Sequence, residues 1–119
     1  MTGYFLDTYA LIEILRGNDS YKGFVELDMF TSIFNLYELH FILLRSFGKE
    51  VANKHFCGFR SIVIEIEDFD VFLASRFKLD NKGVSYPDAL GYAMAMNREL
   101  KFLTGDNFFK DLKNVEFVK

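Results

Sequence analysis

Short apolar runs alternate with longer segments of helical spacing along this chain, and that alternation limits its architecture more than any other feature of the sequence. Runs rich in aromatic and β-branched residues predict strands at Gly3 to Leu6, Met29 to Ile33, Ile62 to Ile66, Phe102 to Thr104 and Val115 to Val118. Between them lies helical sequence. Over Thr8 to Arg16, Leu11, Ile14 and Leu15 recur at helical intervals and Gly17-Asn18 ends the pattern. A short helix is expected over Ser20 to Leu27, a longer one over Asn35 to Phe47 ended by Gly48, and others over Lys49 to Arg60, Asp68 to Leu79 and Pro87 to Leu100. Strands joined through helices pair in parallel by right-handed crossovers, which place helices on both faces of the sheet. The expected fold class is α/β: a three-layer α/β/α sandwich around a mainly parallel sheet of about five strands.

No repeat, low-complexity tract or Pro/Gly/Ser-rich linker interrupts the 119 residues, so one domain spanning 1–119 is expected. Aromatic residues make up 18% of the chain and include fifteen Phe. Either the core is Phe-rich, or part of that load lies in a contact surface with another copy or another protein. A net charge of −3 argues against coating nucleic acid by bulk electrostatics. Arg45, Lys49, Lys54 and Arg60, opposed only by Glu50, form a local basic strip that reads best as a solvated helix face. Cys57 is the single cysteine, which precludes an internal disulfide; no Cys/His spacing suits zinc, and a reducing cytoplasm fits. No run reaches the length of a membrane span and no basic-then-apolar leader opens the chain, so a soluble, unprocessed protein is expected.

Four acids border or interrupt apolar runs: Asp7, Glu38, Asp88 and Asp106. Asp7 closes Tyr4-Phe5-Leu6, and Asp106 follows Lys101 to Thr104 after a single Gly105, so both sit at strand exits. Ligands of open parallel sheets bind there. Three of the four acids also have a local use. Asp7 suits the cap of the helix beginning at Thr8, Asp106 the cap of a short final helix, and Ser85-Tyr86-Pro87-Asp88 a capping box with proline in the first turn. Glu38 has no such use. Phe34, Leu36, Tyr37, Leu39, Phe41, Ile42, Leu43 and Leu44 surround it, so the helix is expected to be buried nearly all round and its carboxylate paired, protonated or bound to a cation. Two carboxylates ~5 Å apart repel by roughly 3 kcal/mol at an effective dielectric of ~20, and a divalent cation relieves a converging set of them. Oxygen-only ligands favour Mg2+ or Mn2+ over zinc or copper.

The segments Tyr4-Phe5-Leu6-Asp7-Thr8, Glu38 in the helix after the second strand, Tyr86-Pro87-Asp88-Ala89-Leu90 and Leu103-Thr104-Gly105-Asp106-Asn107-Phe108-Phe109 resemble, in order and spacing, the PIN domains, and within them the VapC-like toxins of prokaryotic toxin–antitoxin pairs. That resemblance covers essentially the whole chain. It implies a metal-dependent endoribonuclease cutting phosphodiesters of single-stranded or loop RNA, with Asp7, Glu38, Asp88 and Asp106 as catalytic, metal-holding acids. It also implies that Thr104, and less directly Thr8, orient the cluster, and that an antitoxin and a second copy of the chain are partners. Where some members carry a further acid, this chain has Phe108, which argues against a second metal rather than the first. Arg16, Arg45 and Lys110, near the ends of helices leading from the site, are candidate RNA contacts. A PIN-fold module that binds RNA or protein without cutting is the alternative. A receiver-type signalling domain is disfavoured, because Asp7 is followed by Thr8 and not by a second acid.

Overall fold

The computed structural model describes residues 3–119. Its sheet holds β1 (Gly3–Leu6), β2 (Asp28–Phe30), β3 (Lys101–Thr104) and β4 (Val115–Phe117) in the order β2-β1-β3-β4. Every neighbouring pair is parallel. The helices are α1 (Thr8–Leu15), α2 (Ile33–Phe47), α3 (Lys49–Phe59), α4 (Asp68–Asp80) and α5 (Tyr86–Asn97), with 3-10 segments at Asp19–Glu26, Arg60–Ile62 and Asn107–Phe109.

Successive strand residues point to opposite faces, and here both faces are covered, so the central strands are apolar throughout. Phe5 and Phe102 stack with ring centroids 6.0 Å apart on one face, where Ala74 of α4 and Tyr92 and Met94 of α5 cover them. Leu6 and Leu103 point the other way, into a second core built with Ala10 and Leu11 of α1, Leu36 and Leu39 of α2 and Ala52 of α3. These are the three expected layers. Close approach of α5 depends on Gly91, where a Cβ would stand 2.8 Å from the Phe5 ring.

Two expectations need correction. The strand anticipated over Ile62 to Ile66 is reduced to one bridge between Thr31 and Val63. Its cause lies in the partner: after β2 and Thr31, Ser32 accepts a hydrogen bond from Asn35 N–H and starts α2, so no extended backbone remains to pair with. Nor is α2 buried all round. Asn35, Leu36, Leu39 and Leu43 face inward, whereas Phe34, Tyr37, Phe41, Leu44 and Phe47 are exposed, because α2 belongs to an outer layer.

That exposed face also answers the question of aromatic load. Phe5, Phe102 and Phe109 are fully buried, while Phe34, Phe41, Phe47, Phe69, Phe72 and Phe108 are exposed, so the aromatic content exceeds what this core hides. Arg45, Lys49, Lys54 and Arg60 are all solvated. Among the described residues, no helix is long and apolar enough to cross a membrane.

Candidate active site

Parallel pairing of β1 with β3, with Leu6 opposite Leu103, makes the two strand exits neighbours. Asp7 and Asp106 therefore leave the same edge of the sheet. Asp7 Oδ1 accepts a hydrogen bond from Ala10 N–H at 2.9 Å and caps α1. Its other oxygen accepts from the Thr104 hydroxyl at 2.5 Å, and Thr104 Oγ1 in turn accepts from Asp106 N–H at 3.0 Å. One threonine thus ties both acids together. Asp106 Oδ1 accepts from Phe108 N–H at 3.0 Å, capping the 3-10 segment that follows.

Asp88 lies in the first turn of α5, where its N–H donates to Ser85 Oγ at 3.2 Å and Pro87 sits beside it. Glu38 projects from α2, and its Oε1 accepts from the Thr8 hydroxyl at 2.6 Å. The four acids line one cleft of about 390 Å³, together with Thr8, Tyr9, Gly105, Asn107 and Lys119. Capping and site formation are therefore not alternatives. Local hydrogen bonds to Asp7 and Asp106 aim their remaining lone pairs, and the strand exits bring those acids to a common edge.

Exposure differs sharply within the set. Asp7 is 2% exposed, Asp88 and Asp106 are half-buried, and Glu38 is exposed, contrary to its expected burial. Glu38 lies off the inward stripe of Asn35, Leu36, Leu39 and Leu43, so it stays exposed while lining the cleft. Burial pushes the Asp7 carboxyl up to about 7; the Thr104 and Ala10 hydrogen bonds oppose that rise, and the charges of Asp88 and Asp106 add to it. Asp88 is pushed up to about 6, chiefly by burial, with Asp106 and Glu38 contributing and the Ser85 hydrogen bond opposing. No buried side-chain nitrogen or oxygen among the described residues lacks a hydrogen-bond partner. Both groups that donate hydrogen bonds to Asp7 are neutral.

Donor chemistry here is carboxylate and hydroxyl oxygen, which suits a hard divalent cation. Among the described residues, no three His, Cys, Asp or Glu side chains are gathered tightly enough to form a ready-made metal cage.

Arg16, Arg45 and Lys110 lie outside the lining of the cleft. Arg16 pairs with Glu13 at 3.6 Å, Arg45 stands 5.5 Å over the Phe41 ring, and Lys110 stands 5.8 Å over the Phe117 ring. Other participants were not anticipated. Ser32 Oγ donates to Asn35 Oδ1 at 2.7 Å, Asn35 Nδ2 donates to Thr8 Oγ1 at 3.2 Å, and the Thr8 hydroxyl donates to Glu38 Oε1 at 2.6 Å. Ser32 and Asn35 are fully buried, so this relay fixes the Thr8 hydroxyl from the core side. A signal for Asn35 exists in the sequence, since it shares the i, i+4, i+8 stripe with Leu39 and Leu43. Tyr9, Asn107 and Lys119 carry no comparable signal.

A parallel α/β/α sandwich with clustered acids at adjoining strand exits defines the class of the molecule. The family model described as PIN domain matches residues 4–115, and the chain belongs to the PIN domain family. Solved structures agree in fold. DNA-bound VapBC from Salmonella typhimurium superposes with a TM-score of 0.77 at 21% identity, covering 99% of this chain and 98% of that one. VapBC2 from Rickettsia felis, bound to a DNA fragment from its promoter, gives 0.76 at 24% identity, covering 98% of each chain. VapC20 from Mycobacterium tuberculosis, a toxin that cleaves the Sarcin-Ricin loop, gives 0.75 at 19% identity, covering 97% of this chain and 96% of that one. No curated protein sequence matches the chain.

Proposed function

We propose that this chain is a Mg2+- or Mn2+-dependent endoribonuclease that hydrolyses phosphodiesters of single-stranded or loop RNA, as the toxin of a type II toxin–antitoxin pair in the cytoplasm. The observation that carries this reading is Asp7: a carboxylate 2% exposed, held by two neutral donors, with further acids around it. In this reading Asp7 and Asp106 hold the metal directly, and Asp88 and Glu38 complete its surroundings directly or through water. A bound divalent ion supplies Lewis acidity, making water a stronger nucleophile and offsetting charge on the phosphodiester oxygens.

The protein's own groups then have distinct tasks. Thr104 holds Asp7 and Asp106 in one orientation, so their lone pairs do not have to reorganise as charge develops. Thr8 occupies Oε1 of Glu38 and leaves Oε2 free to accept a proton from water at the mouth of the cleft. Attack by water at phosphorus leaves 5′-phosphate and 3′-hydroxyl ends. Exposed Phe34, Phe72, Leu79 and Tyr86 offer apolar area for the antitoxin and for a homodimer, which the family resemblance implies.

The test is incubation of purified protein with loop-containing RNAs, with Mg2+, with Mn2+ and with chelator, alongside Asp7→Asn prepared identically. Cleavage that needs metal and disappears in Asp7→Asn supports the proposal. Equal cleavage by both proteins overturns it, and binding without cutting identifies the module that does not catalyse.

A further inference from the structure

Acidic walls repel the polyanion they are supposed to cut, and a net charge of −3 gives no general attraction to correct that. Among the side chains lining the cleft, one is cationic: Lys119. We propose that Lys119, standing on the ring of Tyr9, grips an RNA phosphate adjoining the scissile one and so positions the strand against the four acids. This assignment rests on the nuclease reading above.

The placement of Lys119 is built, not incidental. Beyond β4 the chain stays tied to the sheet, because Val118 N–H donates to Thr104 O at 2.9 Å, prolonging the β3 ladder. The Val118 carbonyl accepts from the Tyr21 hydroxyl at 2.5 Å, and the Lys119 carbonyl accepts from Asn18 Nδ2 at 3.1 Å. These anchors hold the backbone beside Thr104, the residue that binds Asp7. On the other side Tyr9, one position after Thr8, packs so closely that a Cβ at Gly105 would strike both its ring and the Val118 carbonyl. Glycine at 105 is what lets Tyr9 and the 118–119 segment close over the turn carrying Asp106.

The Lys119 ammonium stands 5.6 Å from the ring centroid of Tyr9, which also lines the cleft, in range of a cation–π attraction. It forms no salt bridge with any carboxylate among the described residues. A compact ammonium with three donors and no committed acid partner suits a single phosphate. Lys119 is thus a positioning residue: it acts on the substrate backbone, not on the reacting atoms. The plainer role, a counterion that only quiets repulsion among the acids, makes a different prediction, since it changes stability and leaves RNA affinity and its salt dependence unmoved.

The deciding experiment measures binding of a fluorescein-labelled, mixed-sequence single-stranded oligoribonucleotide across a salt series. It compares Asp7→Asn protein with the same protein carrying Lys119→Gln, Lys119→Arg or Lys101→Gln. Lys101 begins β3 at the opposite end of the sheet and controls for a change in net charge. Expected for Lys119→Gln is a roughly tenfold loss of affinity and a log–log salt slope shallower by about 0.7, the value of one phosphate contact on a single strand. Lys119→Arg retains the slope and Lys101→Gln leaves it unchanged. In cleavage assays, Lys119→Gln alone raises KM about tenfold and keeps kcat within about twofold. Unchanged affinity and slope in Lys119→Gln, with or without a change in Tm, overturns the proposal, as does an equal effect from Lys101→Gln. If the unmodified protein neither binds nor cuts RNA, the nuclease reading itself falls and takes this one with it.

Discussion

Asp7 and Asp70 are the same residue type with almost the same exposure, 2% and 0%, and the fold treats them in opposite ways. Asp70, in the first turn of α4, receives Arg98 Nη1 at 2.8 Å, Arg98 Nη2 at 2.9 Å, Asn97 Nδ2 at 3.0 Å and Glu67 N–H at 2.8 Å. Burial alone raises its pKa, but the Arg98 hydrogen bonds and charge, with those of Glu67 and Asn97, outweigh burial and hold it below the usual carboxylate range. Asp7 has two neutral donors and acidic neighbours, and rises to about 7. Asp70 has its counterion built in and braces α4 against the end of α5, whereas the two groups hydrogen-bonded to Asp7 are both neutral. Exposure does not distinguish the two acids; the charge of the groups around them does.

The largest effect that tests the contrast is on cleavage. Asp7→Asn keeps the cap on Ala10 and the volume of the side chain but removes the charge that would hold a cation, so activity on RNA falls at least about 100-fold while the fold persists. Near-normal cleavage rates in this variant would show that Asp7 is merely a cap. Next comes Arg98→Ala, which strands Asp70 as a buried charge and costs about 3–5 kcal/mol, read from urea unfolding. A loss below about 1 kcal/mol would mean that the brace is no stronger than a surface ion pair.

A pH series on metal-free protein sharpens the comparison. Because the folded pKa of Asp7 is raised, the folded state binds its proton more tightly than the unfolded chain does. Its contribution is fully present below about 4 and is lost as pH rises to about 7, by up to roughly 4 kcal/mol. Asp88, pushed up to about 6, acts with the same sign. Asp7→Asn flattens the decline, whereas wild-type stability that does not fall over that interval contradicts the burial argument. The smallest expected effect is that of Asn35→Ala. It removes the amide that fixes Thr8, costs about 1–3 kcal/mol and slows cleavage several-fold through a less ordered Glu38. Stability loss with unaltered cleavage would make Asn35 a core residue only.

Much of this was legible in the sequence, for identifiable reasons. Phe5-Leu6 and Phe102-Leu103 are apolar on both faces, which only strands covered on both sides require, and a parallel three-layer sandwich follows. Asp7 and Asp106 stand immediately past those strands, so their meeting is a consequence of topology. Ile62 to Ile66 has strand composition, but pairing needs a partner and Ser32 turns the neighbouring chain into α2. Apolar neighbours predict burial of Glu38, but Phe34, Tyr37 and Phe41 are apolar yet exposed. The Asp70–Arg98 brace joins residues 28 apart on two helices, and Lys119 reaches the cleft only through the closure of β4 on β3. Neither contact leaves a local pattern.

Calorimetric titration of Mn2+ into chelator-treated protein at neutral pH tests the central proposal, that the carboxylates around Asp7 hold a divalent cation. A saturable isotherm in the wild type that vanishes in Asp7→Asn is the predicted result. The absence of any binding heat in the wild type, or identical isotherms for the two proteins, would contradict it.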